Sequence, residues 1–214
     1  MEVLLDNLDS FGSGIRLTIA LALTSFAGAL VIGLVVAAFR VSPVPPLRAA
    51  GAFYVETVRN IPPLVLLLVF YFGFPDIGIV YSEFVSAVLI FSLYTGAFVG
   101  EAIRAGINTV ARGQAEASRA IGLTFSQTLV LVVMPQALRS VVPPLGNLFI
   151  ALVKNTSLAS VISVAELTFI SKRLITSTAQ GLLVFLGTAI AYLLLTLPAG
   201  WIVGRIEKRS AIKR

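Results

Sequence analysis

Charged side chains within otherwise apolar segments are the residues of this sequence best placed to act on a solute. Glu56 with Arg59 and Glu101 with Arg104 are each spaced i, i+3, so the members of either pair can meet on one helix face. Each pair either neutralises itself near a membrane surface or binds a solute. The second pair is the stronger site candidate, because small residues that permit close helix packing or leave room for a solute precede it: Thr95, Gly96, Ala97 and Gly100.

A second polar group is predicted about half-way along a later apolar segment. Its candidates for contact with a solute are Lys154, Asn155, Thr156, Ser157 and Ser160. The hydroxyl groups either bind a carboxylate or an ammonium group, or donate to carbonyl groups of their own helix. Glu166, at the end of the same segment, either receives an ammonium group in a wet cavity or is a plain interface residue.

The sequence contains few residues that could act in catalysis. The chain has no His and no Cys, which removes imidazole and thiolate metal ligands, disulfides and thiol nucleophiles. Its 10 Asp and Glu residues are scattered, whereas an active site needs such groups close together. A membrane enzyme is therefore a weak hypothesis, and we expect no catalytic residue, metal or cofactor on this chain.

Composition assigns the chain to a lipid bilayer, since 57% of its residues are hydrophobic, 12% are charged and the mean hydropathy is +0.98. Residues 17–39 carry no charge, and these 23 residues as a helix cross a hydrocarbon core of roughly 30 Å. No cleavage site follows a short apolar core there, so we expect the first helix to remain in the mature protein.

Five membrane spans are predicted, the three middle ones less uniform because they carry ionisable residues or proline: 17–39, 49–73, 84–107, 140–165 and 181–204. The fold class is therefore an all-α integral membrane protein, with residues 1–214 forming one domain. Two proline pairs, Pro62-Pro63 and Pro143-Pro144, predict kinks within or beside spans.

Basic residues orient these spans, because Lys and Arg favour cytoplasmic loops. With the N-terminus outside, eleven basic residues face the cytoplasm and three face outwards. We therefore predict an outside N-terminus and an inside C-terminus. The basic C-terminal tail is interpreted as an anchor at the inner lipid surface, and not as a nucleic-acid site.

The same topology places residues 108–139 in a cytoplasmic loop, called the coupling loop below. Two short helices are predicted in it, over 111–121 and 126–133. Gly122 is expected to be the left-handed residue that ends the first helix and lets the second approach it, and Pro135 is expected to close the second helix.

The coupling loop contains Glu116-Ala117-Ser118, three residues, Gly122, nine residues, and then VVMP ending at Pro135. This pattern resembles the E-A-A, x3, G, x9, I-x-L-P loop of bacterial binding-protein-dependent ABC transporter permeases. Every spacing agrees, while Ser replaces the second Ala, and Val and Met replace Ile and Leu. The flanking segments are similar to polar-amino-acid permeases of the histidine, glutamine, arginine and glutamate uptake group over nearly the whole chain: GSGIRLTIALA, YVETVRNIPPLVLLLVFYFG, YTGAFVGEAIRAGI and PQALRSVVPPLGNLFIALVKNTSLASVI.

The resemblance implies a multi-pass permease subunit of the bacterial cell membrane. In that family two five-helix permease subunits, alike or different, form the pathway, two ATPase subunits bind the cytoplasmic face, and an extracytoplasmic binding protein delivers the amino acid. A short helix in the loop then acts as a lever between ATPase and spans. The residues that this implies for ATPase coupling are Glu116, Ala117, Ser118, Gly122 and Pro135. Alternatively, Glu116 and Arg119 form only a surface pair.

The substrate class follows from the charges along the proposed pathway. Arg104 and Lys154 are basic, and Asn155 stands where the family more often has Asp, so an acidic or amide amino acid (glutamate, aspartate or glutamine) is expected over a basic one. The chain has no G-x-x-x-x-G-K-[ST] sequence, so MgATP is expected on the partner ATPase subunits. An ATPase-independent channel or ion-coupled carrier is the alternative, but no internal repeat is evident.

Overall fold

The computed structural model describes residues 6–210, and within this range the chain contains helices and no strands. The long helices are α1 (Leu8–Val41), α4 (Glu83–Asn108), α7 (Met134–Asn155) and α9 (Gly181–Ser210). The short ones are α2 (Pro45–Asn60), α3 (Pro63–Leu68), α5 (Arg112–Ala120), α6 (Phe125–Gln127) and α8 (Leu167–Thr178). π-helical turns cover Val69–Gly73 and Thr128–Val133, and 3-10 turns cover Phe74–Ile77 and Thr156–Ile162.

Four helices of the described range are long and apolar enough to cross a membrane: Leu8–Val41, Glu83–Asn108, Val130–Ile162 and Gly181–Lys208. The third of these combines α7 with the helical turns on either side of it. The number becomes five if the bent pair that contains α2 and α3 forms one span. Large apolar side chains on α9, such as Leu194 and Trp201, are exposed, as a face toward lipid or a second subunit requires.

The second span is broken at the proline pair for which a kink was predicted, so two helical arms cover residues 49–73. Its two arms, Pro45–Asn60 and Pro63–Ile77, are bent by 99°. The cause lies at Ile61, which has an extended backbone (φ −100°, ψ 131°) because the residue before a proline is displaced from the helical region. Pro62 is extended as well (ψ 134°), and the second arm then begins at Pro63.

The packing of α1 against α4 explains the small residues of α4. A Cβ atom at Gly96 would lie 2.8 Å from Cγ2 of Ile32, and one at Gly100 would lie 2.7 Å from Cγ1 of Val36. Both distances are too short for a real side chain, so the glycines allow the two helices to approach closely. The small residues of α4 were predicted either to permit close helix packing or to leave room for a solute, and these contacts support close packing.

Helix α7 is unbroken at its proline pair, since Pro143 and Pro144 both lie inside it. After Asn155 the chain tightens into a 3-10 turn that ends at Ser163, which has a left-handed backbone (φ 69°). Helix α8 then runs beside α1 and α9, and its amide group at Leu167 donates to Oγ1 of Thr18 on α1. The polar segment that follows α7 is thereby held against the first span.

Candidate functional site

Helix α5 of the coupling loop ends at a glycine whose conformation other residues rarely adopt. Gly122 has φ +90°, its N–H donates to the carbonyl of Arg119 (3.0 Å), and the N–H of Leu123 donates to the carbonyl of Ser118 (3.1 Å). These two hydrogen bonds are the Schellman pattern, so the left-handed residue predicted at Gly122 is confirmed.

The prediction that Gly122 lets the second helix of the loop approach the first is wrong. A Cβ atom at Gly122 would meet nothing within 4 Å, so the absence of a side chain does not serve close approach between the two helices of the loop. It serves the positive φ angle, which costs about 1–2 kcal/mol for a residue with a Cβ atom.

The second helix of the coupling loop begins with a capping box. The side chain of Gln127 accepts from the N–H of Thr124 (2.9 Å), and Oγ1 of Thr124 accepts from the N–H of Gln127 (3.3 Å). Such reciprocal bonds satisfy backbone donors at a helix start. These two bonds were not predicted from the sequence, although Thr-x-x-Gln is the pattern that predicts them.

Pro135 does not close this second helix, contrary to the prediction. The chain passes from α6 through the π-helical turn Thr128–Val133 directly into α7, and Pro135 occupies the first turn of α7. Proline is tolerated in a first turn, where its missing N–H removes no required hydrogen bond. The coupling loop is therefore joined to the fourth span by consecutive helical turns.

The two faces of α5 differ in what they contact. Ser118 is buried, and its Oγ is hydrogen-bonded to Oγ1 of Thr128 (3.0 Å), which is also buried, and to the carbonyl of Ala115 (2.9 Å). Glu116 and Ala117 are exposed on the other side. Within residues 6–210 no ion pair joins Glu116 to Arg119, so the surface pair is not formed. The exposed face of α5 remains available to another protein.

Glu101 and Arg104 meet as predicted, and a third charged residue joins them. Oε2 of Glu101 lies 2.8 Å from the guanidinium of Arg104, and Oε1 lies 3.0 Å from Nε of Arg40, at the end of α1. We call these three residues the Glu101 cluster. One carboxylate between two guanidinium groups leaves the cluster with an excess positive charge. Arg40 was missed because 61 positions separate it from Glu101.

Glu56 and Arg59 do not neutralise each other. No ion pair joins them in the described part of the chain, and the guanidinium of Arg59 lies over the ring of Phe98, 4.9 Å from its centroid. Cation–π contact with an aromatic face holds the guanidinium group without neutralising its charge.

The hydroxyl groups after α7 donate to their own backbone. Thr156, Ser157 and Ser160 bond to the carbonyls three residues before them, at 2.7, 2.8 and 2.7 Å. Of the two interpretations of these hydroxyls, the structure shows the intrahelical one, and Ser160 also accepts from Nζ of Lys172 (2.9 Å).

Lys154 and Asn155 form the last turn of α7. Lys154 is exposed, and its ammonium group has no ion-pair or hydrogen-bond partner among residues 6–210. These residues are not brought to the Glu101 cluster. α4 meets α7 near Gly106 and Val141. Because the two helices run antiparallel, Glu101 lies roughly 8 Å and Lys154 roughly 20 Å from that level, which leaves them about 12 Å apart along the helix axes. The candidates therefore form two separate polar groups.

Glu166 is a capping residue and does not line a wet cavity in this conformation. It is fully buried, and its carboxylate accepts from the N–H groups of Thr168 (2.9 Å) and Phe169 (2.8 Å) and from the hydroxyl of Tyr192 (2.8 Å). The contacts attach the start of α8 to α9 and leave no carboxylate oxygen exposed to a solute.

Comparison with known proteins places these features in a family. Residues 29–212 match the model of the binding-protein-dependent transport system inner membrane component. The chain is 39% identical to a probable glutamine ABC transporter permease protein of Bacillus subtilis (strain 168), over 98% of this chain and 97% of that protein. It is 42% identical to a glutamate transport system permease protein of Corynebacterium glutamicum, over 92% of each.

A solved structure has the same fold. The crystal structure of an amino acid ABC transporter with histidines superposes with a TM-score of 0.92, at 30% identity and over 96% of each chain. The helical architecture, the family model and the full-length relatives agree. The chain therefore belongs to the binding-protein-dependent transport system inner membrane components, as a permease subunit of an amino-acid ABC importer in the bacterial cell membrane.

Proposed function

We propose that this permease imports acidic or amide amino acids, with glutamine and glutamate as the leading candidates. The observation that carries the proposal is the charge of its polar groups. The Glu101 cluster holds two guanidinium groups on one carboxylate, and Lys154 adds an ammonium group without a partner among residues 6–210. A cationic substrate would meet repulsion in surroundings poorer in water than bulk solution. Relatives described as glutamine and glutamate permeases support the same substrates.

We propose that the complete importer contains two ATPase subunits, that the coupling loop of this chain contacts an ATPase subunit, and that MgATP is bound and hydrolysed there and not on this chain. Glu116 and Ala117 would face the ATPase, because both are exposed on α5. Ser118, Gly122 and Pro135 would hold α5 to the fourth span, through the buried bond to Thr128, the left-handed helix end and the first turn of α7. A push on α5 then reaches α7 as a rigid-body movement.

The complete importer is proposed to contain a second permease subunit, identical or different, and an extracytoplasmic binding protein. The chain would form a single domain with its N-terminus outside. Exposed apolar side chains on α1 and α9, such as Val31 and Leu194, provide faces that lipid and a second subunit can cover.

The substrate proposal predicts the order of competition for uptake. In proteoliposomes that contain the complete transporter and its binding protein, unlabelled L-glutamine and L-glutamate are expected to inhibit uptake of labelled glutamine at least tenfold more strongly than L-arginine or L-lysine. The Asn155→Asp variant, which adds an anion beside Lys154, is expected to narrow this difference. Stronger inhibition by arginine or lysine in the unmodified transporter would contradict the charge argument.

The proposed orientation predicts an all-or-none labelling pattern, and the chain has no native cysteine to interfere. Three exposed positions are suitable: Asp76, Ala117 and Lys208. In intact cells an impermeant maleimide is expected to label Asp76→Cys only. Ala117→Cys and Lys208→Cys should react after the cells are permeabilised, which also controls for their accessibility. Labelling of the last two positions in intact cells, without labelling at Asp76→Cys, would reverse the orientation.

A further inference from the structure

An apolar groove of about 370 Å³ lies between α1 and the first half of α2, and we call it the α1–α2 groove. Helix α1 contributes Val, Ile and Phe side chains of residues 31–39, and α2 contributes Ala50, Gly51 and Tyr54. The one polar side-chain atom among these lining residues is the hydroxyl of Tyr54, which donates to the carbonyl of Leu93 (2.6 Å). An occupant must therefore be apolar along the groove, because the walls offer it no unused polar partner.

The α1–α2 groove is as long as one leaflet of a membrane is deep. Its open end lies at the turn where α1 ends at Val41 and α2 begins at Pro45. Its far end is at Val31, ten residues before Val41, which is roughly 15 Å along the axis of α1. That distance is about half of a hydrocarbon core of roughly 30 Å. An acyl chain that enters from the membrane surface would therefore follow the groove along its whole length.

Two arginine side chains stand at the open end of the groove. The stem of Arg40 lies against Gly51, since a Cβ atom at Gly51 would be 3.2 Å from Cγ and 3.3 Å from Cδ of Arg40. Arg48 precedes Gly51 by three positions on α2, and residues with this spacing are neighbours on one helix face, about 5–6 Å apart at their Cβ positions. Both guanidinium groups can therefore reach a charged group at the open end.

The positive charge at this end is not compensated. Within residues 6–210 the guanidinium of Arg40 uses only Nε, in its bond to Glu101, and Arg104 shares the same carboxylate. The guanidinium of Arg48 is exposed and has no ion-pair or hydrogen-bond partner in that range. Three positive charges therefore stand against one negative charge. Such an end favours an anion, and a phosphodiester matches the planar fork of donors on a guanidinium group.

We propose that the α1–α2 groove binds one anionic phospholipid, with the phosphate at Arg48 and Arg40 and one acyl chain along the groove. Basic pockets between membrane helices at the cytoplasmic surface are typical sites for anionic headgroups. A second copy of this chain fits less well, because its net charge of +6 would add to the positive charge at the open end. The inference does not depend on which amino acid is carried, and only its placement in the inner leaflet rests on the proposed orientation.

Native mass spectrometry of the complete transporter in detergent, titrated with phosphatidylglycerol, tests the charge at the open end. One tightly bound phosphatidylglycerol is expected per copy of this chain, and phosphatidylcholine with the same acyl chains should bind at least tenfold more weakly. Arg48→Gln should weaken phosphatidylglycerol binding at least tenfold. The matched control is Lys208→Gln, an exposed basic residue near the end of α9, which should bind within twofold of the unmodified protein. Equal affinity for the two lipids, or equal losses in the two variants, would overturn the proposal.

Two neighbouring alanines test the groove itself. Ala50 lines the groove, whereas Ala49 is also exposed but lies one position away, about 100° around α2, and does not line it. Ala50→Leu fills part of the space for the acyl chain, so it is expected to weaken phosphatidylglycerol binding at least fivefold. Ala49→Leu should bind within twofold of the unmodified protein. Equal affinity in the two variants would show that the acyl chain lies elsewhere.

A soluble headgroup analogue separates a lipid site from a surface that binds phosphate. sn-Glycerol 3-phosphate has the phosphate but no acyl chain, so it should leave phosphatidylglycerol bound even in about hundredfold molar excess. Complete displacement of the lipid would overturn the role of the groove. Subunit stoichiometry is read from the same spectra. If Arg48→Gln or Ala50→Leu dissociates the permease pair, the α1–α2 groove is a subunit interface, and the lipid proposal fails.

Discussion

Gly122→Val is expected to lower amino-acid uptake at least tenfold while the chain still reaches the membrane. Gly122 has φ +90° with open space around it, so valine creates backbone strain and no clash. The strain of about 1–3 kcal/mol is relieved by opening the helix end, which breaks the two hydrogen bonds that terminate α5. The angle between α5 and α6 is then expected to change, and the exposed face of α5 would no longer fit the proposed ATPase partner. Uptake in cells, normalised to permease detected in the membrane fraction, measures the effect.

Gly122→Asn is the matched control for this experiment. Asparagine adopts left-handed backbone conformations more readily than other residues with a Cβ atom, so uptake should remain within about threefold of normal. If bulk rather than backbone conformation were decisive, asparagine and valine would fail together. Normal uptake by the valine variant would contradict the role assigned to this helix end.

The second large effect is expected on stability. Glu101→Gln removes the carboxylate that accepts from Arg40 and Arg104, and it leaves two guanidinium groups facing each other. Breaking a buried ion pair costs about 3–5 kcal/mol, but these side chains are 18% to 33% exposed, so we expect about 2 kcal/mol. Thermal unfolding of the purified chain in detergent measures the loss.

Two comparisons make this result specific to the Glu101 cluster. Glu116→Gln, an exposed acid without an ion pair in the described residues, should change stability by less than about 0.5 kcal/mol. Arg40→Gln combined with Glu101→Gln should be less destabilised than the sum of the single variants, because one of the two facing charges is gone. Additive losses would show that α1 and α4 are not joined through this carboxylate.

Local sequence patterns predict the long helices well, but they do not predict which helices pack against each other. Residues 17–39, 84–107 and 181–204 are uniform enough for hydropathy alone, and each lies within a helix of the structure. Pro62-Pro63 predicted a kink, whereas the observed bend is 99°. The size of a bend depends on what the two arms pack against, here α1 and α4 for α2, and no local pattern contains that information.

The coupling loop shows the same division between local and long-range features. The left-handed Gly122 was predictable because a glycine after a short polar helix is a standard helix end. The continuation of the second helix past Pro135 was not, since a proline ends one helix or opens another according to what surrounds it. The bond between Ser118 and Thr128 requires the two helices to fold back on each other, which spacing alone does not show.

Polar residues near the fourth span were the hardest to interpret from sequence. Glu166 resembles a ligand because it is an acid at a membrane segment, yet three donors from α8 and α9 occupy its carboxylate. Two of those donors are backbone N–H groups just after it, which is the N-cap pattern. The third comes from Tyr192, 26 positions away, and could be found only from the fold.

The break between α2 and α3 also constrains how the protein is made. A membrane helix needs roughly 20 apolar residues to insert unaided, and neither the 16-residue α2 nor the arm Pro63–Ile77 reaches that length. We therefore expect this segment to complete its insertion only after α4 has emerged to pack beside α1. The second span would then be fitted against the first and third spans, out of sequence order. Slowed synthesis just before α4 should accordingly leave the chain exposed to membrane quality-control proteases.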